Sequence, residues 1–252
     1  MKLESLLQYM DAYLSVSDYP DSANALNGLQ VGGPEEVRHV VAAVDASEAT
    51  IDEAVEKGAD LLLVHHGLFW DGLKPLTGRR LRKVAPLLAH GIAVYSVHIP
   101  LDAHPEVGNC AVLGRELGLE LRERFGMHRG VEIGWWGELP DPLTGRELQK
   151  RLEDLLDGAV HLIPGGPERT ERVAIVTGMG ASAIEEAATR GIDALVTGEG
   201  SHHTHFDAME LGVTVLFGGH YATETFGVRA LAEHVADRFG LTWEFIDQPT
   251  GL

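Results

Sequence analysis

Histidines and carboxylates that could hold a metal ion follow three apolar segments of this sequence. Each segment ends either in a pair of histidines or in a histidine with a carboxylate four residues later. The candidate ligands are His65 and His66 in LLLVHH (61–66), His98 and Asp102 in HIPLD (98–102), and His220 and Glu224 in HYATE (220–224). Imidazole and carboxylate ligands together suit zinc, iron, manganese or nickel better than calcium. The residue types therefore indicate a site for one of those metals.

The number of candidate ligands bears on the kind of metal site. A single histidine at the end of a strand is more often a hydrogen-bonded structural residue than a ligand. Three separate segments that all end in this way are much harder to explain as structural residues. Five or six ligands exceed the need of one open tetrahedral ion, and a carboxylate can bridge two ions. The set therefore favours a dinuclear centre.

The elements that must position these residues follow an α/β pattern. Ligands of open α/β sheets gather at the carboxyl ends of the strands, which is where the candidate residues fall. Apolar runs predict strands and amphipathic runs predict helices in alternation. The predicted strands are 37–45, 59–66, 92–98, 172–178, 192–198 and 213–220, and the predicted helices are 47–58, 82–91, 181–191 and 202–212.

The local conformation at each ligand segment decides whether its side chains can converge. Consecutive residues of a strand point to opposite faces, so His65 and His66 share a site only if the chain turns at Gly67. Pro100 favours a loop for HIPLD. His220 and Glu224 lie on one face if HYATE opens a helix.

The second half of the chain resembles the first. IDEAVEKGADLLLV (51–64) and IEEAATRGIDALVT (184–197) match at six positions, among them Gly58 with Gly191 and Asp60 with Asp193. Convergence of two βαβ units could produce the same likeness, but we favour an internal duplication. We expect an α/β fold of two related βαβ lobes with mixed sheets and a dinuclear metal site between them. Lobe one is placed at 1–125 plus 218–252, and lobe two at 126–217.

The segment that separates the two copies has a different pattern. HRGVEIGWWGELP (128–140) alternates and contains Trp135 and Trp136, which predicts an exposed or edge antiparallel strand. Thr144 and Glu147 have the spacing of a capping box, so a helix is predicted over 144–156.

Composition limits the classes of partner. Thirty-eight acidic and twenty basic residues among 252 give a formal net charge of −18, which disfavours nucleic acid and anionic membrane surfaces. Cys110 is the single cysteine, which excludes an internal disulfide and thiolate metal sites. The chain has neither a signal-peptide pattern nor an apolar run of ~20 residues. We expect a cytoplasmic protein.

Four motifs carry a resemblance to a known family. LLLVHHGLFW, SVHIPLDAH, VTGEGSHH and GGHYATETFG resemble, in order and spacing, the dinuclear-metal-centre family related to NGG-one-interacting factor three. Its members are commonly described as GTP cyclohydrolase I type 2 homologues. The resemblance extends from NGLQVGG (27–33) to FIDQPTGL (245–252). It implies a two-lobed α/β protomer with two divalent metal ions, assembled as a toroidal homohexamer, in the compact form without an inserted middle domain.

The resemblance also implies roles for individual residues. The family's metal ligands correspond to His65, His66, Asp102, His220 and Glu224. His98 matches a nearby family histidine, as a partner behind the ligands or as an extra ligand. Glu199 occupies a position that is acidic in relatives and is a candidate for proton transfer. Whether His202, His203 and His205 assist entry of metal or substrate, or belong to a polar helix start, stays open.

The function expected from these residues is metal-dependent hydrolysis of an unknown small molecule. Two ions would lower the pKa of a bound water from ~15.7 towards ~7. His98 and Glu199 are candidates for moving protons. A non-enzymatic metal carrier or chaperone needs the same ligands and is the main alternative. A hexameric scaffold for protein partners is ranked last, because it gives the ligands no purpose.

Overall fold

The computed structural model describes all 252 residues as two compact units. The first unit contains 1–101 and 227–248, and the second contains 102–226 and 249–252. Each unit is built on its own mixed β-sheet, so the predicted α/β fold with two mixed sheets is confirmed. None of the helices combines the length and the apolar character that a membrane span requires.

The first unit has a five-stranded sheet in the order β1-β4-β3-β2-β11, in which only β1 is antiparallel to its neighbour. Its strands are β1 (Gly28–Val31), β2 (His39–Asp45), β3 (Leu61–His66), β4 (Ala93–Ser96) and β11 (Thr242–Phe245). The helices beside them in the chain are α1 (Leu3–Tyr13), α2 (Glu48–Glu56), α3 (Gly78–His90), α4 (Ile99–Asp102) and α10 (Thr225–Phe239).

The second unit has a six-stranded sheet in the order β5-β6-β8-β9-β10-β7, in which β8, β9 and β10 are parallel. Its strands are β5 (Glu120–His128), β6 (Val131–Leu143), β7 (His161–Pro164), β8 (Thr170–Val176), β9 (Ala194–Thr197) and β10 (Thr214–Phe217). Its helices are α5 (Asn109–Glu116), α6 (Gly145–Leu156), α7 (Ile184–Thr189), α8 (Thr204–Leu211) and α9 (His220–Thr223).

Each sheet is stabilised by an apolar core of its own. Leu62 and Val64 of β3 are fully buried in the first core, against Ile51 of α2. Val173 and Ile175 of β8 are fully buried in the second core. Burial of one such side chain contributes about 1.5–3 kcal/mol to stability. The continuous apolar strands of the sequence are therefore interior parallel strands, which end where the polar candidates begin.

The two units repeat the same contacts at matched positions, which supports the internal duplication. Asp60 accepts hydrogen bonds from the backbone N–H groups of Arg38 and His39, at 2.8 and 3.0 Å. Its counterpart Asp193 accepts from the N–H groups of Glu171 and Arg172, at 2.9 and 2.8 Å. In both copies the carboxylate therefore holds the start of the preceding parallel strand.

The boundaries of the two compact units differ from the lobe boundaries predicted from the sequence. The predicted boundaries lie near residues 125 and 218, whereas the chain passes from one unit to the other after Leu101 and after Phe226. The reason is that α5 and β5 pack with the second sheet rather than with the first. Segment 218–226 likewise belongs to the second unit.

Two local predictions are corrected by the structure. IPLD is one turn of helix, α4, rather than a loop. Pro100 lies in the first turn, where its missing N–H group costs no helical hydrogen bond. β6 is an interior strand that pairs with β5 and β8, rather than an edge strand. The capping box of Thr144 and Glu147 is present at the start of α6, as predicted.

Candidate metal centre

Three histidines of the first unit form one cluster at the carboxyl ends of β3 and β4. His65, His66 and His98 each offer a ring nitrogen, and these three atoms all lie within 4.8 Å of one another. His65 is fully buried, while the other two are half-buried. Three imidazoles this close could share one cation.

Each of these imidazoles is fixed through its Nδ1 atom. Nδ1 of His65 donates to the carbonyl oxygen of Val97 at 2.9 Å, and Nδ1 of His66 lies 3.0 Å from a carboxylate oxygen of Asp45. Nδ1 of His98 lies 3.0 Å from Asp21. A carbonyl or carboxylate behind the ring is the usual arrangement of metal-ligating histidines, because it fixes the tautomer and makes Nε2 the ligand atom.

Asp21, which no sequence pattern singles out, supplies a buried carboxylate behind His98. Its side chain is 7% exposed. Burial alone would raise the pKa of Asp21, but hydrogen bonding and charge from His98, with further hydrogen bonds from Asn27 and Ser22, lower it to about 2. Asp21 is therefore ionised at neutral pH and acts as a fixed acceptor for His98.

The second unit contributes a carboxylate-rich group. The carboxylates of Asp102 and Glu224 are buried, and one oxygen of each lies within 4.8 Å of the other. Nε2 of His220 lies 3.2 Å from Oε2 of Glu224. His220 opens α9 and Glu224 follows it directly, so one helical turn brings the predicted pair together.

Neighbouring side chains orient this group as well. Asn109 donates to Oδ1 of Asp102 at 2.8 Å, and the Thr177 hydroxyl donates to the same oxygen at 3.3 Å. Nδ1 of His220 lies 2.7 Å from Oε1 of Glu199. The structure therefore places Glu199 directly behind His220, with Nε2 of His220 on the side of Glu224.

The two carboxylates raise the pKa of His220. The hydrogen bond with Glu224 has the largest effect, burial opposes it, and the contact with Glu199 adds to it, so that the pKa reaches about 9. His220 is therefore protonated at neutral pH in the metal-free protein. A cation at this position would displace that proton, as expected where metal and proton compete for one nitrogen.

We expect Glu224→Gln to lower the pKa of His220 in the metal-free protein, from about 9 towards the ordinary 6.5. The shift should exceed that of Glu199→Gln, because the contact with Glu224 has the larger effect. The midpoint is measured by NMR titration of the His220 ring protons. Glu210→Gln removes an exposed carboxylate of α8 and serves as the control. An unchanged midpoint in the Glu224 variant would contradict this account.

His65 and His66 occupy the last two positions of β3, and the chain leaves the sheet at Gly67. β3 continues through His66, so the chain does not turn before these side chains. Their ring centroids are nevertheless 4.7 Å apart. The reason is that both side chains lie at the last two positions of the strand, where Gly67 leaves the sheet and the rings can bend towards each other.

The remaining histidine candidates lie apart from these groups. His202, His203 and His205 are exposed around the start of α8, and no group of potential ligands includes them. By contrast, sequence reasoning missed Asp21, Asp45 and Asn109, which hydrogen bond to candidate ligands. A weak signal existed for Asp45 alone, because it ends a predicted strand in the same way as His66.

The donor set of each unit fits a divalent cation. Imidazole and carboxylate are ligands of zinc, iron, manganese and nickel. All four histidines involved are held by a carbonyl or carboxylate at Nδ1. The chain thus contains clusters of histidine, aspartate and glutamate that could bind metal.

Comparison with known proteins assigns the chain to a family. The family model of Duf34/NIF3, NGG1p interacting factor 3, matches residues 1–250. The chain belongs to the DUF34/NIF3 family. A member from Halobacterium salinarum, named GTP cyclohydrolase 1 type 2 homolog, is 50% identical over 95% of each chain. A protein of the same name from Deinococcus radiodurans is 44% identical, over 99% of this chain and 94% of its own.

A solved structure of the family shows the same fold. Protein ybgI, described as of unknown function, has 41% sequence identity and a TM-score of 0.93, with all of both chains covered. The resemblance found in the four sequence motifs is therefore confirmed.

Proposed function

We propose that this NIF3 protein is a metal-dependent hydrolase with a dinuclear centre. The ligands proposed are His65, His66, Asp102, His220 and Glu224. The observation that carries the proposal is that Nδ1 of every candidate histidine contacts a carbonyl or a carboxylate, which leaves Nε2 directed at the other ligands. A purely structural histidine does not need this arrangement.

Divalent cations held in this way supply acidity, since they lower the pKa of a coordinated water from ~15.7 towards ~7. The chain's own residues have separate tasks. Asp45 and Val97 hold the two adjacent imidazoles, while Asn109 holds Asp102. We propose that His98 and Glu199 hold or transfer protons, because each lies next to a proposed ligand.

A cavity beside Glu199 bears on the class of substrate. The cavity has a volume of about 530 Å³ and lies in the second unit, where loops follow β8 and β9. This volume is within the range of small-molecule sites. Glu185, Glu199 and Asp207 line it together with the apolar Met179 and Ile184, and no lysine or arginine does. This lining offers a triphosphate no basic partner, so we propose an uncharged or cationic heterocycle or cyclic amide as the substrate.

Metal analysis followed by a hydrolysis screen tests this proposal. Protein purified without added metal should contain two ions per chain. After loading with zinc, iron, manganese or nickel, it should hydrolyse at least one member of a panel of cyclic amides and deaminated or intact nucleobases. GTP and simple phosphomonoesters should react more slowly. Fewer than one ion per chain under all loading conditions, or no hydrolysis of any member of the panel, would reject the hydrolase.

One observation favours a metal carrier as the second candidate. The exposed His203 lines the same cavity, and with its exposed neighbours in the chain, His202 and His205, it could pass a cation inwards. Exchange kinetics separates the two functions. A hydrolase should keep its ions during dialysis against a chelator, whereas a carrier should release them to a metal-free acceptor protein within minutes.

We further propose a homohexamer, on the basis of the family resemblance. Light scattering coupled to size-exclusion chromatography should give the mass of six chains. A monomeric mass at micromolar concentration would contradict the proposal.

A further inference from the structure

A short segment of the first unit contacts both histidine-bearing turns of that unit. The segment comprises residues 21–30 and is called the positioning segment below. The side chain of Asp21 is buried, and Asn27 and Gln30 are half-buried residues. None of them is among the proposed metal ligands. Gln30 accepts from the backbone N–H two residues after His66, while Asn27 and Asp21 accept from the backbone N–H groups of His98 and of the residue that follows it.

Gln30 holds the turn that follows His65 and His66. Its Oε1 atom accepts a hydrogen bond from the backbone N–H of Leu68 at 2.7 Å. Gly67 packs directly on the Gln30 amide, so closely that a Cβ atom at this position would overlap it. The amide nitrogen of Gln30 donates in turn to the carbonyl oxygens of Ala25 and Leu26, at 3.0 and 3.1 Å. The end of β3 is therefore joined to the positioning segment.

Asp21 and Asn27 hold the turn that carries His98. The backbone N–H of His98 donates to Oδ1 of Asn27 at 2.8 Å. The backbone N–H of Ile99 donates to Oδ2 of Asp21 at 3.1 Å. Asn27 also donates to that Asp21 oxygen at 2.9 Å, so the two side chains fix one another. Both the ring and the backbone of His98 are consequently held from this one segment.

The positioning segment is itself firmly placed. Gly28 and Leu29 pair with Ser96 and Tyr95 of β4, which runs directly into His98. Gly28 has φ +107°, a conformation in which a residue with a side chain would be strained. The segment therefore forms a fixed bridge that ties the ends of β3 and β4 together.

We propose that Asp21, Asn27 and Gln30 are positioning residues for the histidine cluster, acting through the backbone of the two turns. This inference rests on the proposed metal centre and adds to it the residues that set its geometry. It also gives the NGLQVGG motif (27–33) a purpose, since Asn27, Gly28 and Gln30 belong to it. Loss of a residue that orients ligands typically costs 10–100-fold in metal affinity.

Cobalt titration of three variants tests the proposal. Co²⁺ serves as the probe, because its visible absorption bands report the geometry of its ligands. We expect Gln30→Leu to raise the Kd for Co²⁺ by about 10–100-fold and to change the absorption bands. Gln30→Glu keeps the oxygen that accepts from Leu68 but loses the donor to the Ala25 and Leu26 carbonyls, so it should restore only part of the affinity. Gln8→Leu, in the exposed face of α1, is the matched control.

A purely structural role for Gln30 predicts something else. The Leu variant would then melt at a lower temperature, while its folded form would bind Co²⁺ with wild-type Kd and bands. That result would overturn the proposal.

Hydrogen exchange of the metal-free protein provides a second readout that does not depend on metal. The amides of Leu68, His98 and Ile99 should exchange slowly in the wild type. Gln30→Leu should expose Leu68, and Asp21→Ala should expose Ile99, at about tenfold or greater rates. Unchanged rates in both variants would overturn the proposal. If the wild type binds no Co²⁺ but the exchange rates change as expected, the proposed metal centre is wrong. The hydrogen bonds from the positioning segment to the two turns would still be confirmed.

Discussion

Replacing both His65 and His66 with alanine is expected to remove the bound metal from the protein. The two imidazoles are two of the five proposed ligands, and His98 alone would remain of the histidine cluster. Loss of a residue that hydrogen bonds to a metal ligand already lowers metal affinity by about 10–100-fold. Loss of two ligands should therefore lower the affinity by more than about 100-fold. Elemental analysis after gel filtration should find less than about one-tenth of the wild-type metal.

The fold must survive this double substitution for the result to be informative. His65 is fully buried, and its replacement leaves the Val97 carbonyl without that hydrogen bond. The cost is about 1–3 kcal/mol, which a domain of ordinary stability tolerates. Circular dichroism and the melting temperature of the metal-free variant check this point.

Removing two exposed histidines supplies the control. His90 ends α3 and His161 opens β7, and both are exposed. The variant His90→Ala with His161→Ala should keep the full metal content. Two ions per chain in the His65/His66 variant would show that these residues are not ligands.

The ligand candidates could be predicted because each lies next to a strongly apolar strand. LLLV of β3 must be buried, and so the position of His65 and His66 at its end follows from the order of the chain. The same reasoning located His220 after β10. The parallel strands were predictable for the same reason, and their ends differ from the predicted ones by only a few residues.

The contacts behind the ligands could not be predicted from the sequence. Asp21 precedes His98 by 77 residues and lies in an irregular segment without periodicity. Any of the thirty-eight acidic residues could have filled that role as far as composition shows. Only the antiparallel pairing of β1 with β4 brings this segment to His98, and strand order is not encoded in local pattern.

The strand with two tryptophans was mistaken for an edge strand for a similar reason. Its alternating pattern suggested one solvent-exposed face. However, Arg124 of β5 lies 4.4 Å from the ring of Trp135, and Arg172 of β8 lies 4.6 Å from the ring of Trp136. Long arginine side chains cover the aromatic rings from the strands on either side. An interior strand can therefore carry polar neighbours and still show an alternating pattern.

Replacing Gly178 with alanine is expected to disrupt the carboxylate group of the second unit. Gly178 has φ +60°, and a Cβ atom there would overlap Oε1 of Glu224 and lie 3.3 Å from Nε2 of His220. The backbone has little room to retreat, because the Gly178 carbonyl accepts hydrogen bonds from the N–H groups of Gly198 and Glu199, at 2.9 and 3.0 Å. The Glu224 carboxylate must therefore move, and metal affinity should fall by about 100-fold or more, as for the loss of a ligand.

Gly212→Ala separates this clash from the backbone cost of alanine. Gly212 also belongs to the second unit and has φ +72°, but the nearest atom to its added Cβ is 4.0 Å away. Both variants should lose about 1 kcal/mol of unfolding free energy from the left-handed conformation. Gly178→Ala should lose about 1–3 kcal/mol more from overpacking, and it alone should lose metal affinity. Urea unfolding and metal titration measure the two effects. Equal metal affinity in both variants would mean that Glu224 can leave its position without consequence, and so is not a ligand.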